Sequence, residues 1–253
     1  MFDRYFEAAR RTLGEVAASQ GGPLEVAARL VATSVAAGGV LHLFGTGHAQ
    51  LLALDAYARA GGLAAVNPIL DPALSPAVGL EVATAERTTG LGAAILAAQD
   101  LRQGEVVLVA SNSGVNPVPV EVAIGCRDRG LSVVALTNLE QALATPARHP
   151  SGVRLPELAD VVIDNRCPVG DAALELATGD RVGPLSTVVG AAVVAALAAR
   201  VAELLADQGR RPPVLVSQNL DGRAAAETNA ELLRPYLRRV RPAAAAAGRE
   251  APR

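Results

Sequence analysis

The chain predicts an α/β protein: a three-layer αβα sandwich built on a five-stranded parallel sheet and preceded by N-terminal helices. Three observations predict it. Five short apolar, β-rich runs alternate with segments whose apolar residues recur at helical spacing, the rhythm of βαβ units. Val106 to Ala110 is apolar without interruption, as a central strand buried on both faces requires. Two polar loops, Gly45-Thr46-Gly47-His48 and Ser111-Asn112-Ser113-Gly114, each lie between an apolar run and a helical pattern. In an open parallel sheet, ligands gather beyond the carboxyl ends of the strands, and the loops after strands one and three become neighbours there when the order is 2-1-3-4-5.

Residues 3 to 18 and 24 to 37 carry helical spacing, through Phe6/Leu13/Val16 and Val26/Leu30/Val31/Val35. Pro23 is placed to open the second helix and Gly38-Gly39 to close it. The first strand is Val40 to Phe44; Ala64 to Asn67, Val106 to Ala110, Val133 to Thr137 and Val161 to Ile163 follow, bracketed by Asn, Pro and Gly. Helices are expected at about Gln50 to Ala60, Leu91 to Ala98, Val118 to Arg129 and Leu139 to Ala144. Beyond the sheet, Asn165 to Pro184 reads as loop-rich and Leu185 to Ala206 as a long apolar helix. After the Pro212-Pro213 break come a short extra strand, Val214 to Ser217, and a terminal helix, Ala224 to Arg238. One domain is expected over 1–241, with helices in 1–38, the sheet in 39–165 and a loop with C-terminal helices in 166–241. The alanine-rich tail 242–253 lacks apolar periodicity and is expected to be disordered.

With 253 residues and 51% hydrophobic content, the chain can bury a substantial core. A net charge of -2 and a pI near 6.0 supply no basic field for nucleic acid or an anionic membrane. Aromatic residues make up 2% and Trp is absent, so no stacking platform for single strands is expected. All 23 basic residues are arginine, which fits a genomic base-composition bias. The apolar run from Val188 to Ala199 is interrupted by Arg200 and Glu203 short of the roughly 20 residues that cross a bilayer, so it reads as a core helix. Cys126 and Cys167 form no CxxC pair and the N-terminus lacks a signal-peptide pattern, which predicts a cytoplasmic protein.

Ser111, Asn112 and Ser113 place three hydrogen-bonding side chains in a row, and Gly114 lets the backbone turn so that successive N–H groups point inward. Asn116 and Pro117 then open a helix whose first-turn N–H groups and dipole add positive potential. Such a cradle suits phosphate oxygens, whereas the plain alternative is a Ser/Asn helix cap. The loop Phe44-Gly45-Thr46-Gly47-His48-Ala49-Gln50 departs from the dinucleotide fingerprint, because Gln50 stands at the third glycine and Asn67-Pro68 replaces the acidic residue after the next strand. A P-loop needs a lysine that the chain does not contain.

Together, GTGH after the first strand and SNSGVN after the third resemble the SIS (sugar isomerase) domain family. The segments MFDRYFE, RAGGLAAVNPIL, LADVVIDN and PVGDAALE are similar to a group near the N-acetylmuramic acid 6-phosphate etherases and phosphosugar isomerases. The resemblance implies a flavodoxin-like sheet in the order 2-1-3-4-5 that binds a phosphosugar. It further implies that Ser111 and Ser113 contact phosphate or sugar hydroxyls, with Gly114 as the turn residue and Asn116 in place of a threonine. Gly45 and Gly47 match the first loop, where Ala49 replaces a serine and Thr46 or His48 compensates. Ser186 and Thr187 in Gly183-Pro184-Leu185-Ser186-Thr187 resemble an etherase loop over the sugar, although Val188 and Val189 replace its arginine and lysine. Self-association as a homodimer or higher homo-oligomer is implied too, the N-terminal helices and the 185 to 206 helix offering apolar faces.

Proton abstraction next to a carbonyl needs a base and an acid. Glu86 resembles the acidic residue of the family's etherases and isomerases, and His48 is expected at a helix start that favours neutral imidazole. Asp171 and Glu175 share one face if their segment is helical, as a second carboxylate source or a solvated pair. The expected activity is that of a sugar-phosphate isomerase, lyase or etherase without a cofactor, the alternative being a non-catalytic phosphosugar sensor. His42 is expected as a packed core histidine, His149 on a loop, and Asn219, Asp221 and Gly222 in a polar turn. Three dispersed histidines give no metal-ligand spacing, so no metal is expected.

Overall fold

The computed structural model describes residues 1–220 and 222–240; Asp221 and the tail expected over 242–253 lie outside the described residues. Helices α1 (Phe2–Ser19) and α2 (Gly21–Ala36) precede a βα series. That series runs β1 (Leu41–Gly45), α3 (Gln50–Ala56), β2 (Val66–Ile69), α4 (Val82–Ala85), α5 (Leu91–Ala97), β3 (Val106–Ala110), α6 (Pro117–Arg127) and β4 (Ser132–Thr137). It continues through α7 (Leu139–Ala144), α8 (Leu155–Leu158) and β5 (Val161–Asp164) to a hairpin of β6 (Ala172–Glu175) and β7 (Arg181–Pro184). The long helix α9 (Ser186–Asp207) and α10 (Gly222–Leu233) complete it.

The five-stranded sheet has the order β2-β1-β3-β4-β5, parallel throughout. Alternation along the strands divides the core into two. Leu41, Leu43, Leu108, Val134 and Ile163 face the layer of α1, α2, α3 and α9. Phe44, Val107, Val109, Val133 and Ala135 face α5, α6 and α8 through Ile95, Val118, Val122 and Leu155. Each such Leu, Ile, Val or Phe side chain contributes about 1.5–3 kcal/mol of burial, so β3, buried at all five positions, anchors both layers.

β2 begins two residues later than its sequence pattern suggests. Leu63 bridges Val214 in antiparallel fashion and Ala64 donates its N–H to Pro213 O, so this run belongs to the 213–215 segment before it joins the sheet. The expected strand Val214 to Ser217 is reduced to that bridge. Pro68, which donates no N–H, is tolerated because β2 lies at the sheet edge. α9 is long and apolar enough to cross a membrane by length and composition, and here it packs against α1, α2 and α3.

The 166–184 stretch corrects a second expectation. Asp171 and Glu175 do not share a helical face, because Ala172 to Glu175 pairs antiparallel with Arg181 to Pro184, with Glu175 opposite Arg181. In a strand the side-chain period is two, so Leu174 turns inward while Glu175 is exposed. Tyr5 holds the hairpin against α1, its hydroxyl donating to Pro184 O at 2.8 Å.

At the amino ends of the strands, His42 is fully buried beside Glu105, with Nε2 3.0 Å from Oε2, and Asn67 Nδ2 lies 3.0 Å from Nδ1. Arg239 grips the same carboxylate at both oxygens, at 2.6 and 2.9 Å, fastening the C-terminal segment to the start of β3. Burial pushes the Glu105 carboxyl up, but the hydrogen bonds from His42 and Arg239 outweigh it and hold the group at about 2.

Candidate functional site

Gly45 at the end of β1 pairs in register with Ala110 at the end of β3, so the two polar loops leave the sheet side by side. Between them lies a cavity of about 230 Å³ lined by Thr46, His48, Glu86, Ser111, Asn112 and Ser113, with Ser186 and Thr187 at the start of α9. That is below the roughly 300–1,000 Å³ of drug-sized ligand sites, so it suits one small polar molecule.

Two glycines shape the loops. A Cβ on Gly45 would lie 2.5 Å from both the carbonyl carbon and oxygen of Ala49, so only glycine allows the first loop to fold back this tightly. Gly114 has φ +63, and a Cβ there would stand 3.0 Å from Thr137 Oγ1. Its N–H donates to Ser111 Oγ at 3.2 Å, closing the second loop as a cradle. The N–H groups of Asn112 and Ser113 find no acceptor among the described residues. His48 sits in a 3-10 turn, Gly47–Ala49, ahead of α3 rather than inside the helix, and is exposed.

Glu86 is the centre of the site's hydrogen bonding. Thr46 Oγ1 donates to its Oε2 at 2.6 Å and Asn116 Nδ2 to its Oε1 at 2.7 Å, while its carbonyl accepts from Val118 N at 3.1 Å. This last contact revises the helix-terminus expectation for α6. Pro117 and Pro119 carry no N–H and Val118 is engaged by Glu86, so the free backbone donors lie in the loop, not in the first turn of the helix.

The family model described as SIS domain matches residues 4–138, which include both loops, Glu86 and Asn116. A UPF0309 protein of Streptomyces coelicolor is 40% identical over 244 residues, covering 94% of this chain and 95% of its own. A UPF0309 protein of Shouchella clausii is 38% identical over 223 residues, covering 87% and 91%. The chain belongs to the SIS domain family. A phosphoheptose isomerase structure from Francisella tularensis shares the fold at a TM-score of 0.55 and 16% identity, covering 80% of this chain and 96% of that one.

Of the residues singled out in this SIS domain, Gly45, Gly47, Gly114 and Asn116 act from behind the cavity wall, by backbone shape or through Glu86. Asp171 likewise does not line it. In the left-handed region at φ 70, it caps α9 by accepting from Leu185 N at 3.0 Å, Ser186 N at 2.7 Å and Ser186 Oγ at 2.8 Å. Glu175, on the exposed side of β6, is not part of the cavity lining.

Two further polar residues line the cavity. Asn165, directly after β5, donates from Nδ2 to Asn112 Oδ1 at 2.8 Å, and Gln141 on α7 accepts from Asn112 Nδ2 at 3.4 Å and from Gly170 N at 3.2 Å. Their positions after the fourth and fifth strands were the available signal, since those ends open on the same side of the sheet. Among the described residues lining the cavity, none is arginine, so His48 and backbone dipoles face any anion. Among the described residues no group of His, Cys, Asp and Glu forms a metal site. Burial pushes both thiols, Cys126 and Cys167, up to about 12, which leaves them unreactive near neutral pH.

Proposed function

We propose that this SIS domain binds a sugar phosphate in the cavity at the ends of β1 and β3 and acts on it as an isomerase or lyase, by proton abstraction next to a carbonyl. The observation that carries the reading is the convergence on one cavity of a hydroxyl-rich, N–H-rich loop with a carboxylate held at both oxygens. The phosphate takes hydrogen bonds from Ser111, Ser113 and the N–H groups of Asn112 and Ser113, each worth roughly 1.5 to 3 kcal/mol to a charged partner. Glu86 removes the carbon-bound proton and His48 serves the oxygen. Ser186 and Thr187 meet the sugar from α9. The fold shared with a phosphoheptose isomerase supports the substrate class.

Self-association and a cytoplasmic setting belong to the same proposal. Phe2 and Phe6 on α1 and Val188 on α9 are exposed apolar side chains that a second copy would cover; light scattering of the purified protein reads the oligomeric state directly.

The decisive experiment is a thermal-shift screen against hexose, pentose, heptose and N-acetylated sugar phosphates, followed by turnover of every compound that stabilises. A ligand at 100 times its Kd raises stability by roughly 2.7 kcal/mol. Stabilisation with turnover supports the enzyme; stabilisation without turnover assigns a sensor instead; no stabilisation by any member removes the substrate class.

A further inference from the structure

A side-chain amide can offer either its oxygen or its nitrogen to a neighbour, and only its partners decide which. Asn116 is 3% exposed and lies between two charged groups. On one side Arg148 donates from a guanidinium nitrogen to Asn116 Oδ1 at 2.8 Å; on the other Asn116 Nδ2 donates to Glu86 Oε1 at 2.7 Å. Arginine only donates and carboxylate only accepts, so this orientation alone satisfies both contacts. Turning the amide over would set oxygen against carboxylate and NH2 against guanidinium, two mismatches in a buried position. Arg148 is itself held, its backbone N–H donating to Val115 O at 3.0 Å, and it is not among the residues lining the cavity.

We propose that Arg148 is the positioning residue for Glu86, acting through Asn116. It fixes the amide with its donor toward the carboxylate, so that Asn116 and Thr46 together hold Glu86 as an oriented, charged acceptor at the cavity wall. The two hydrogen bonds link the guanidinium to Glu86 without placing a cation in the cavity. This rests on the reading of Glu86 as the proton-transferring group, and the experiment separates the two.

Wild type, Arg148→Met and Arg148→Lys are compared in two ways. The first is NMR of the Asn116 side-chain amide in the ligand-free protein, with and without Glu86→Gln. With Arg148 present, Glu86→Gln displaces the Asn116 cross-peaks; in the Arg148→Met background the displacement is lost, and Arg148→Lys restores part of it. Equal displacement in the arginine and methionine backgrounds overturns the proposal.

The second is incorporation of deuterium from heavy water next to the carbonyl of D-fructose 6-phosphate and D-ribulose 5-phosphate, alongside thermal shifts with the same compounds. Arg148→Met lowers incorporation by about tenfold or more, as loss of orientation does, with the ligand-induced Tm shift unchanged. Exchange as fast as wild type overturns the proposal. Should the wild-type protein bind both compounds and exchange neither, the proton-transfer role of Glu86 falls, and the Asn116 coupling alone decides whether Arg148 sets the amide.

Discussion

The Thr46 hydroxyl donates to Glu86 Oε2 at 2.6 Å, tying the loop after β1 to a carboxylate 40 residues further along the chain. With Asn116 on the other oxygen, Glu86 is oriented from both sheet loops at once. A glutamine here keeps the shape and loses the carboxylate. Glu86→Gln is therefore expected to retain sugar-phosphate binding and to lower turnover by about 100-fold or more. Affinity by calorimetry and rate by coupled assay check it; parallel loss of both would assign Glu86 to binding.

Ser113 is half-buried in the cavity lining, and its hydroxyl has no protein partner among the described residues. Ser113→Ala should weaken a phosphorylated sugar by about 10- to 100-fold, one hydrogen bond to a charged group, and leave the weak affinity for the unphosphorylated sugar unchanged. Equal weakening of both sugars would place the phosphate elsewhere.

Asp171 holds the first turn of α9 and with it Ser186. Asp171→Ala is expected to cost about 1–3 kcal/mol, the loss of a carboxylate that satisfies two backbone N–H groups at the start of α9, and to weaken ligand binding through Ser186. Asp171→Asn, which tolerates the left-handed backbone and keeps an acceptor, should recover most of the Tm. Calorimetric melting of the three proteins distinguishes a cap from an exposed surface carboxylate, for which all three would melt together.

Gly45 allows the close return of the chain onto Ala49. Gly45→Ala must displace backbone, which costs roughly 1–3 kcal/mol, and should abolish ligand-induced stabilisation. Gly14, inside α1 with open space around it, is the control: Gly14→Ala is expected to leave binding intact and to raise stability by up to about 1 kcal/mol.

Glu105 titrates at about 2 in the folded chain against an ordinary 4.5. A depressed carboxyl contributes stability that is complete above about pH 4.5 and is lost as pH falls through about 2. The contribution is on the order of 3 kcal/mol. Urea melts from pH 7 to 2 should show wild type losing its advantage over Glu105→Gln across that window. A constant gap would mean that the His42, Arg239 and Glu105 contacts do not depend on the charge of the carboxyl.

Strongly patterned elements were legible from residues alone. α7 spans Leu139 to Ala144 and β3 spans Val106 to Ala110, as their residue patterns predict, because helical spacing and uninterrupted apolar character act within a few residues. β6 and β7 escaped notice, since four residues such as Ala-Ala-Leu-Glu show too little alternation to separate strand from helix. The loop residues Thr46, Ser111, Asn112 and Ser113 announced themselves by glycine and hydroxyl chemistry, whereas Gln141 and Asn165 look like ordinary polar residues until the sheet gathers its carboxyl ends.

By itself the sequence determined the βα rhythm, the two glycine-shaped loops and the presence of Glu86 between them, all consequences of local preference and hydrophobic periodicity. Only the tertiary structure decided that Asp171 caps α9, that the prolines strip α6 of donors while the loop keeps them, and that Asn116 joins Arg148 to Glu86. Those are matters of hydrogen-bond partner and direction between segments distant in the chain. No propensity encodes them, because they exist only once the sheet has fixed where each loop begins.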